Sequence, residues 1–356
     1  MIEIPDYTVL QSAASPPERI PYGVRMVGAE LEWIEVREAL KSIKVAIIDT
    51  GAPQHPDIKL AGQHDVTGSG PYDKRGHGTH VAGTIAASGR IMGVAPGAQV
   101  YTVKVFADTG PTRPEWLTSA LKWCRDNRMD IVSMSLGGPP TLGSAFEAEL
   151  RDCYVAGITL IAAAGNYGRD YGVLYPAKYP EVLAVAAVDL NKLQGAFSAW
   201  GMELDVAAAG VNVWSTWLGG GYAELSGTSM SAPHIAGTSA ILQAKTLIRE
   251  GRKLTPAELR LMLRMYSEDL GEPGPDQKYG CGVFSFGRLD SSDRIKRDVQ
   301  MWVGRKDYLV DGQSKTMDVA PFIQNGRTFT PARFVAEGLG ATVDWDERQQ
   351  KVVVKL

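Results

Sequence analysis

Short apolar runs set the rhythm of this chain. Residues 43–48, 100–106, 131–136, 158–164 and 182–188 are nearly continuous apolar stretches of strand length. Between and after them, residues 77–87, 116–127, 145–156 and 229–248 carry small and apolar side chains at helical spacing. Strands that are apolar throughout, rather than alternating, are those buried on both faces. Strands separated by helices imply a parallel sheet with helices on both sides. Thr255-Pro256-Ala257-Glu258 opens a further helix, with Thr255 as N-cap and Pro256 at the first helical position. Residues 1–19 read as irregular, because Ser15-Pro16-Pro17 breaks any element.

After Gly287 the texture changes. Residues 291–300 are strongly charged and read as a linker or connecting helix. A compact unit follows, with strands over 306–310 and 315–319 around an Asp311-Gly312 turn. It continues with an extended stretch over 322–328, a helix over 331–339 and strands over 341–345 and 351–356. Its own apolar set is Trp302, Leu309, Val319, Phe322, Ile323, Phe329, Phe334, Leu339, Val343, Trp345 and Val353. The predicted organisation is therefore an N-terminal extension (1–19), an α/β domain (20–290), a linker (291–300) and a small α+β domain (301–356).

Bulk properties narrow the partners more than the fold. A formal net charge of -3 gives no reason to expect nucleic acid or an anionic membrane surface. No run reaches the ~18 apolar residues of a membrane-spanning helix. Met1-Ile2-Glu3-Ile4-Pro5-Asp6 has neither the basic start nor the apolar core of a secretory signal, so the expected location is cytoplasmic. Cys124, Cys153 and Cys281 are an odd, unclustered set, expected as reduced, buried side chains rather than a disulfide framework or metal site.

Four stretches carry chemistry. They are Val45-Ala46-Ile47-Ile48-Asp49-Thr50-Gly51, Arg75-Gly76-His77-Gly78-Thr79-His80-Val81-Ala82-Gly83, Ala162-Ala163-Ala164-Gly165-Asn166 and Ser226-Gly227-Thr228-Ser229-Met230-Ser231-Ala232-Pro233-His234. Taken singly, a Ser before a helix is an N-cap, and an Asp or Asn after a strand caps a turn. A serine hydroxyl becomes a useful nucleophile only with a base beside it. The order Asp, His, Ser, each inside a long run, resembles the subtilisin-like (subtilase) family. The resemblance covers about residues 20–289, roughly three quarters of the chain.

That resemblance implies a subtilisin-like α/β fold and a serine endopeptidase acting through a Ser229 acyl-enzyme. Asp49, His77 and Ser229 would form the triad and Asn166 the oxyanion donor. His80 and His234 are expected as hydrogen-bonded core residues. An extended peptide substrate would pair with Ser135-Leu136-Gly137-Gly138, with Gly110-Pro111-Thr112 on the other side. Ala163, Ala164 and Gly165 would wall the specificity pocket. Leu174 falls where many relatives have glycine at its base, which would shorten it. Met230, beside the nucleophile, is an expected site of oxidative inactivation.

The family commonly binds calcium. The stretch Ser88-Gly89-Arg90-Ile91-Met92 is too short and basic for the tight site, which is expected to be absent or altered. A weaker calcium or monovalent-cation site is expected from the carbonyls of Ala177, Tyr179 and Val182 with Asp205; a plain surface turn is the other reading. No organic cofactor is expected. The C-terminal unit, through residues 318–328 and 331–341, resembles the small domain named after the N-terminus of copper amine oxidases. No His lies beyond His234 and no Cys beyond Cys281, so no copper is expected. Such modules accompany exported proteins more often, which sets an exported protein against the cytoplasmic expectation.

Ile20-Pro21-Tyr22-Gly23-Val24 matches the start of mature subtilases, and Ile4-Pro5-Asp6-Tyr7 resembles the Leu-Ile-Pro-Tyr motif of intracellular subtilisins. The segment before Glu18 is too short for a folded prodomain. It reads either as an inhibitory segment laid across the cleft or as a disordered tail. The remaining alternatives are a binding or assembly module with a vestigial protease fold, and an esterase or peptide ligase on the same fold; self-association also stays open.

Overall fold

The computed structural model describes residues 2–3, 8–138, 140–292, 299–301, 303–310, 313–324, 327–331, 334–335, 342–346 and 351–355. The chain divides into two compact units, Met1–Arg288 and Leu289–Leu356.

The first unit begins with β1 (Thr8–Ala13), α1 (Tyr22–Val27), α2 (Trp33–Leu40), β2 (Lys44–Asp49), β3 (Leu60–Asp65), α3 (His77–Ala86) and β4 (Gln99–Lys104). It continues through α4 (Pro114–Asp126), β5 (Ile131–Met134), α5 (Ser144–Val155), β6 (Thr159–Ala163) and β7 (Val182–Val188). It closes with β8 (Leu204–Ala209), β9 (Val213–Thr216), β10 (Tyr222–Ser226), α6 (Thr228–Glu250), α7 (Pro256–Met265), β11 (Ser267–Glu268) and β12 (Val283–Phe284), and α8 (Phe286–Ser292) carries the chain across the boundary.

Nine strands form one sheet in the order β11-β12-β8-β7-β6-β5-β2-β4-β3, parallel throughout except at the β11–β12 edge. The central strands β5, β6, β7 and β8 are buried along their whole length, as their apolar runs demand. The chain leaves β2 toward β4 on one side and later toward β5 on the other. The carboxyl ends of strands at such a reversal are where open α/β sheets hold their ligands. The α/β expectation is met.

Two helices show how sequence fixes their ends. In α7 the Thr255 hydroxyl accepts from the Glu258 N–H while the Glu258 carboxylate accepts from the Thr255 N–H, a reciprocal cap that Pro256 pre-sets. In α6 the interior Pro233 cannot donate to the Ser229 carbonyl four residues back, and the Ser135 hydroxyl donates to it instead, at 2.8 Å.

The N-terminal segment departs from the irregular stretch predicted for it. β1 pairs antiparallel with β10, and β9 completes a three-stranded sheet. Tertiary pairing with an available edge orders a stretch that has no pattern of its own. Residues 4–7 lie outside the described residues.

In the second unit β13 (Val299–Met301), β14 (Asp307–Val310) and β15 (Gln313–Thr316) form an antiparallel sheet. Two hairpins follow: β16 (Phe322–Gln324) with β17 (Arg327–Phe329), and β18 (Thr342–Asp346) with β19 (Lys351–Lys355). Among its described residues, Tyr308 and Met317 form a buried apolar cluster, with Met301 and Phe334 packed against them. Val319, Phe322, Ile323 and Phe329, members of the unit's apolar set, are exposed. Phe322 and Phe329 stack across the β16–β17 hairpin, ring centroids 5.2 Å apart, so cross-strand pairing rather than burial uses them. The Asp311-Gly312 turn, Trp302, Leu339 and most of the predicted 331–339 helix lie outside the described residues.

Candidate active site

Asp49 is the last residue of β2 and His77 the first of α3. Both are buried, and the His77 Nδ1 lies 2.8 Å from Asp49 Oδ1 and 3.0 Å from Oδ2. A carboxylate facing Nδ1 favours the tautomer with its proton on Nδ1 and orients the ring. The Thr50 N–H donates to Asp49 Oδ1 at 2.7 Å, fixing the carboxylate in turn.

Sequence reasoning overlooked Asp73, which builds the other half of this corner. Its Oδ1 accepts from the Thr50 hydroxyl and the N–H groups of Arg75 and Gly76, each at 2.9 Å. Its Oδ2 accepts from the Thr79 N–H and hydroxyl, at 2.8 and 2.7 Å. A buried carboxylate thus caps the N-terminus of α3, where the helix dipole favours negative charge. It ties the turn after Asp49 to the turn before His77. Lys104, fully buried and paired in register with Asp49, donates from its ammonium to the Thr50 and Tyr72 carbonyls and to Asp108. Neither residue sits in a motif that announces it; only the folded proximity of β2, β4 and α3 does.

Ser229 lies in the first turn of α6, one position after its first residue. Its hydroxyl donates to the Ser135 carbonyl at 3.3 Å while the Ser135 hydroxyl donates to the Ser229 carbonyl. Asn166 follows β6; its Oδ1 accepts from the Thr228 N–H and hydroxyl at 2.9 and 2.8 Å. Two donors on Oδ1 assign the amide orientation and make the other end the NH₂ group. Gly227, ahead of the nucleophile, is extended, with φ 160°. Its role is to leave room: a Cβ there would stand 3.0 Å from Asn166 Nδ2.

The pocket residues are brought together as a layer. Leu174 donates from its N–H to the Ala164 carbonyl at 2.9 Å, and Tyr175 pairs with Gly138 through two backbone bonds. A Cβ on Gly165 would meet Leu174 Cγ at 2.6 Å; one on Gly137 would meet Leu174 Cβ at 3.3 Å. The buried Leu174 side chain therefore fills the space between the Ser135–Gly137 strand and the Ala164–Gly165 wall. Leu136 and Met230 are also buried.

The groove between residues 110–112 and 135–137 receives the chain's own N-terminus. Ile2 bridges Thr112, and Glu3 exchanges both backbone hydrogen bonds with Gly137, at 3.1 and 3.0 Å. Past the undescribed residues 4–7, β1 runs along β10, whose end leads through Gly227 into α6.

The expected cation ligands stand in a different environment. Asp205 Oδ1 accepts from Arg264 Nε at 2.9 Å and lies 3.2 Å from Arg260 Nε, and Oδ2 accepts from the Ala184 N–H. The Val182 carbonyl accepts from Arg260, and the Tyr179 carbonyl from the Val182 N–H. With two guanidinium groups already there, Asp205, Ala177, Tyr179 and Val182 do not fit a bound cation. Near the short Ser88-to-Met92 stretch, Asp57 Oδ2 accepts from the Ile91 N–H and the Tyr222 hydroxyl, at 3.0 and 2.8 Å. Among the described residues no group of three or more His, Cys, Asp or Glu side chains is gathered as a metal centre.

His80 and His234 are fully buried, the first beside the Val213 and Ala223 carbonyls and the second beside Met230 O. Burial lowers their pKa to about 3 and about 4, with the neighbouring His77 adding to the effect at His80. Both stay neutral when folded at a pH where the unfolded chain already binds protons. Stability should therefore fall as pH drops below about 6.5, by up to ~1.4 kcal/mol per pH unit for each histidine. Urea unfolding of the Ser229→Ala protein should show a lower midpoint at pH 5 than at pH 7. An equal or higher midpoint at pH 5 would remove this account.

The subtilase family model matches residues 41–282, and the copper amine oxidase N-terminal domain model matches residues 292–354. A thermostable alkaline protease of Halalkalibacterium halodurans is 42% identical over 251 residues, covering 69% of this chain and 66% of the relative. Subtilisin DY of Bacillus licheniformis is 38% identical over 277 residues, covering 75% of this chain and 97% of the relative. Subtilisin E of Bacillus subtilis is 41% identical over 238 residues, covering 64% and 62%. The chain thus spans less than two thirds of subtilisin E and close to two thirds of the alkaline protease.

Proposed function

The chain belongs to the subtilase family, and from that premise we propose that it is a serine endopeptidase with an Asp49–His77–Ser229 triad. The observation that carries this is the closed Asp49–His77 pair at the carboxyl end of β2, with Ser229 braced by Ser135 in the first turn of α6. Ser229 Oγ attacks the scissile carbonyl as His77 Nε2 takes its proton. The oxyanion is met by the Asn166 NH₂ and the N–H groups at the start of α6. His77 then protonates the leaving amine, the acyl-enzyme remains on Ser229, and water repeats the sequence to release the acid.

Substrate enters as an extended strand between residues 110–112 and 135–137. Leu174 makes the pocket shallow, so small side chains before the scissile bond are favoured. Residues 297–356 do no chemistry and serve attachment, self-association or access to the cleft. With all three cysteines free, a reducing compartment, the cytoplasm, is the proposed location.

The N-terminal segment acts as an internal inhibitor. Glu3 already makes the reciprocal pair with Gly137 that a substrate residue would make, and β1 pairs along β10, the strand that leads through Gly227 into α6. Pro5 comes two positions after Glu3 in the sequence, and a proline, having no N–H and a fixed φ, is a poor residue to place at a scissile bond. Residues 12–17, exposed apart from the half-buried Pro16, are open to removal by a second molecule. Full-length protein should show a lag on a short peptide substrate that a form starting at Glu18 lacks, and Pro5→Ala should shorten that lag. Equal activity of the two forms from the first minute, with an intact N-terminus, would leave only a bound tail.

A further inference from the structure

Away from the triad, the Asp205 corner is a densely bonded cluster. Arg260 and Arg264 lie four apart on α7 and so share one face of it. Arg264 engages Asp205 Oδ1 through Nε and Nη2. Arg260 donates from Nη1 to the Pro180 carbonyl and from Nη2 to the Val182 carbonyl, and turns Nε toward Asp205. Asp205 is buried, and its second oxygen receives the Ala184 N–H from β7. One carboxylate thus faces two guanidinium groups. A further cation would be repelled by both and would have to displace Arg260 from the Val182 carbonyl.

We propose that Arg260 and Arg264 act as a built-in cation, holding the turn over residues 176–182 so that the pocket base keeps its shape without a bound metal ion. A planar guanidinium is suited to such bracing, because its fixed fork meets two carbonyls and a carboxylate at once and its charge cannot be titrated away. The capping box of Thr255 and Glu258 anchors the helix that presents both arginines. The held turn begins two residues after Leu174, and Tyr175 also pairs with Gly138 of the substrate-binding strand. Helix α7 is thereby tied to the specificity pocket. The bonding stands whether or not the chain hydrolyses peptides.

The test is amide hydrogen exchange on full-length Ser229→Ala protein, which cannot digest itself. Exchange of the Val182 and Ala184 N–H groups is compared in EDTA with tetramethylammonium as the only monovalent cation, in calcium chloride, and in potassium chloride. The parent should change by less than about twofold among the three buffers, since the opening that exposes these amides is local. Arg260→Gln/Arg264→Gln should lose about tenfold or more of that protection in EDTA, and calcium or potassium should restore part of it. A parent whose 176–184 segment loses protection when cations are removed overturns the proposal. So does a double variant that keeps parental protection in EDTA. If the double variant does not fold, the parent's response to cation removal and Arg264→Gln alone decide the matter by the same criteria.

Discussion

Ser229→Ala is expected to lower kcat on casein and on short peptides by about 10⁶-fold, the scale known from dismantled triads in this same family. The change removes one oxygen. The Ser229 carbonyl still accepts from Ser135, and Asp49 and His77 keep their pair, so the fold should survive with its unfolding midpoint little changed. What disappears is the atom that forms the acyl-enzyme. The remaining acceleration, about 10³–10⁴ over water, would come from the oxyanion donors and substrate binding. A variant that retained wild-type turnover would show that the nucleophile had been misassigned.

Leu174→Gly is the second large effect. Leu174 packs between the Gly137 strand and the Gly165 wall, where its removal leaves a slot. The ratio of kcat/KM for phenylalanine over alanine before the scissile bond should rise by about 10²-fold, within what a few methylene groups are worth in an apolar pocket. The same change empties a buried site and should cost roughly 2–5 kcal/mol of stability, so it is best read near 25 °C. Leu174→Ala should fall between. A wild type that already prefers phenylalanine tenfold, with no further shift in the variant, would place Leu174 outside the pocket.

The central sheet is legible in the sequence because its strands are apolar throughout. The apolar run over residues 182–188 matches its strand to the residue, and the runs containing Ile47, Val132 and Ile161 match theirs to within a few. The strand β3 is not legible, because Leu60–Asp65 lies at the sheet edge with polar and half-exposed positions that carry no apolar run. The N-terminal strand escapes for a related reason: β1 is exposed and owes its form to the β10 edge. Among site residues, those inside motifs can be named from sequence. Asp73 and Lys104 cannot, since five donors around one carboxylate, or three carbonyl and carboxylate oxygens around one ammonium, converge only in the fold. The Asp205 corner fails differently. Its carboxylate and carbonyls read as cation ligands, but the arginine that holds the carboxylate lies 59 positions along the chain.

Covalent labelling puts the central claim, an activated Ser229, to the most direct test. A fluorophosphonate incubated with the protein lacking residues 1–17, followed by peptide mass spectrometry, should place one adduct on Ser229, and none should form in His77→Ala. An unlabelled Ser229 in the folded, truncated protein, or equal labelling without His77, would contradict the assignment of an active triad.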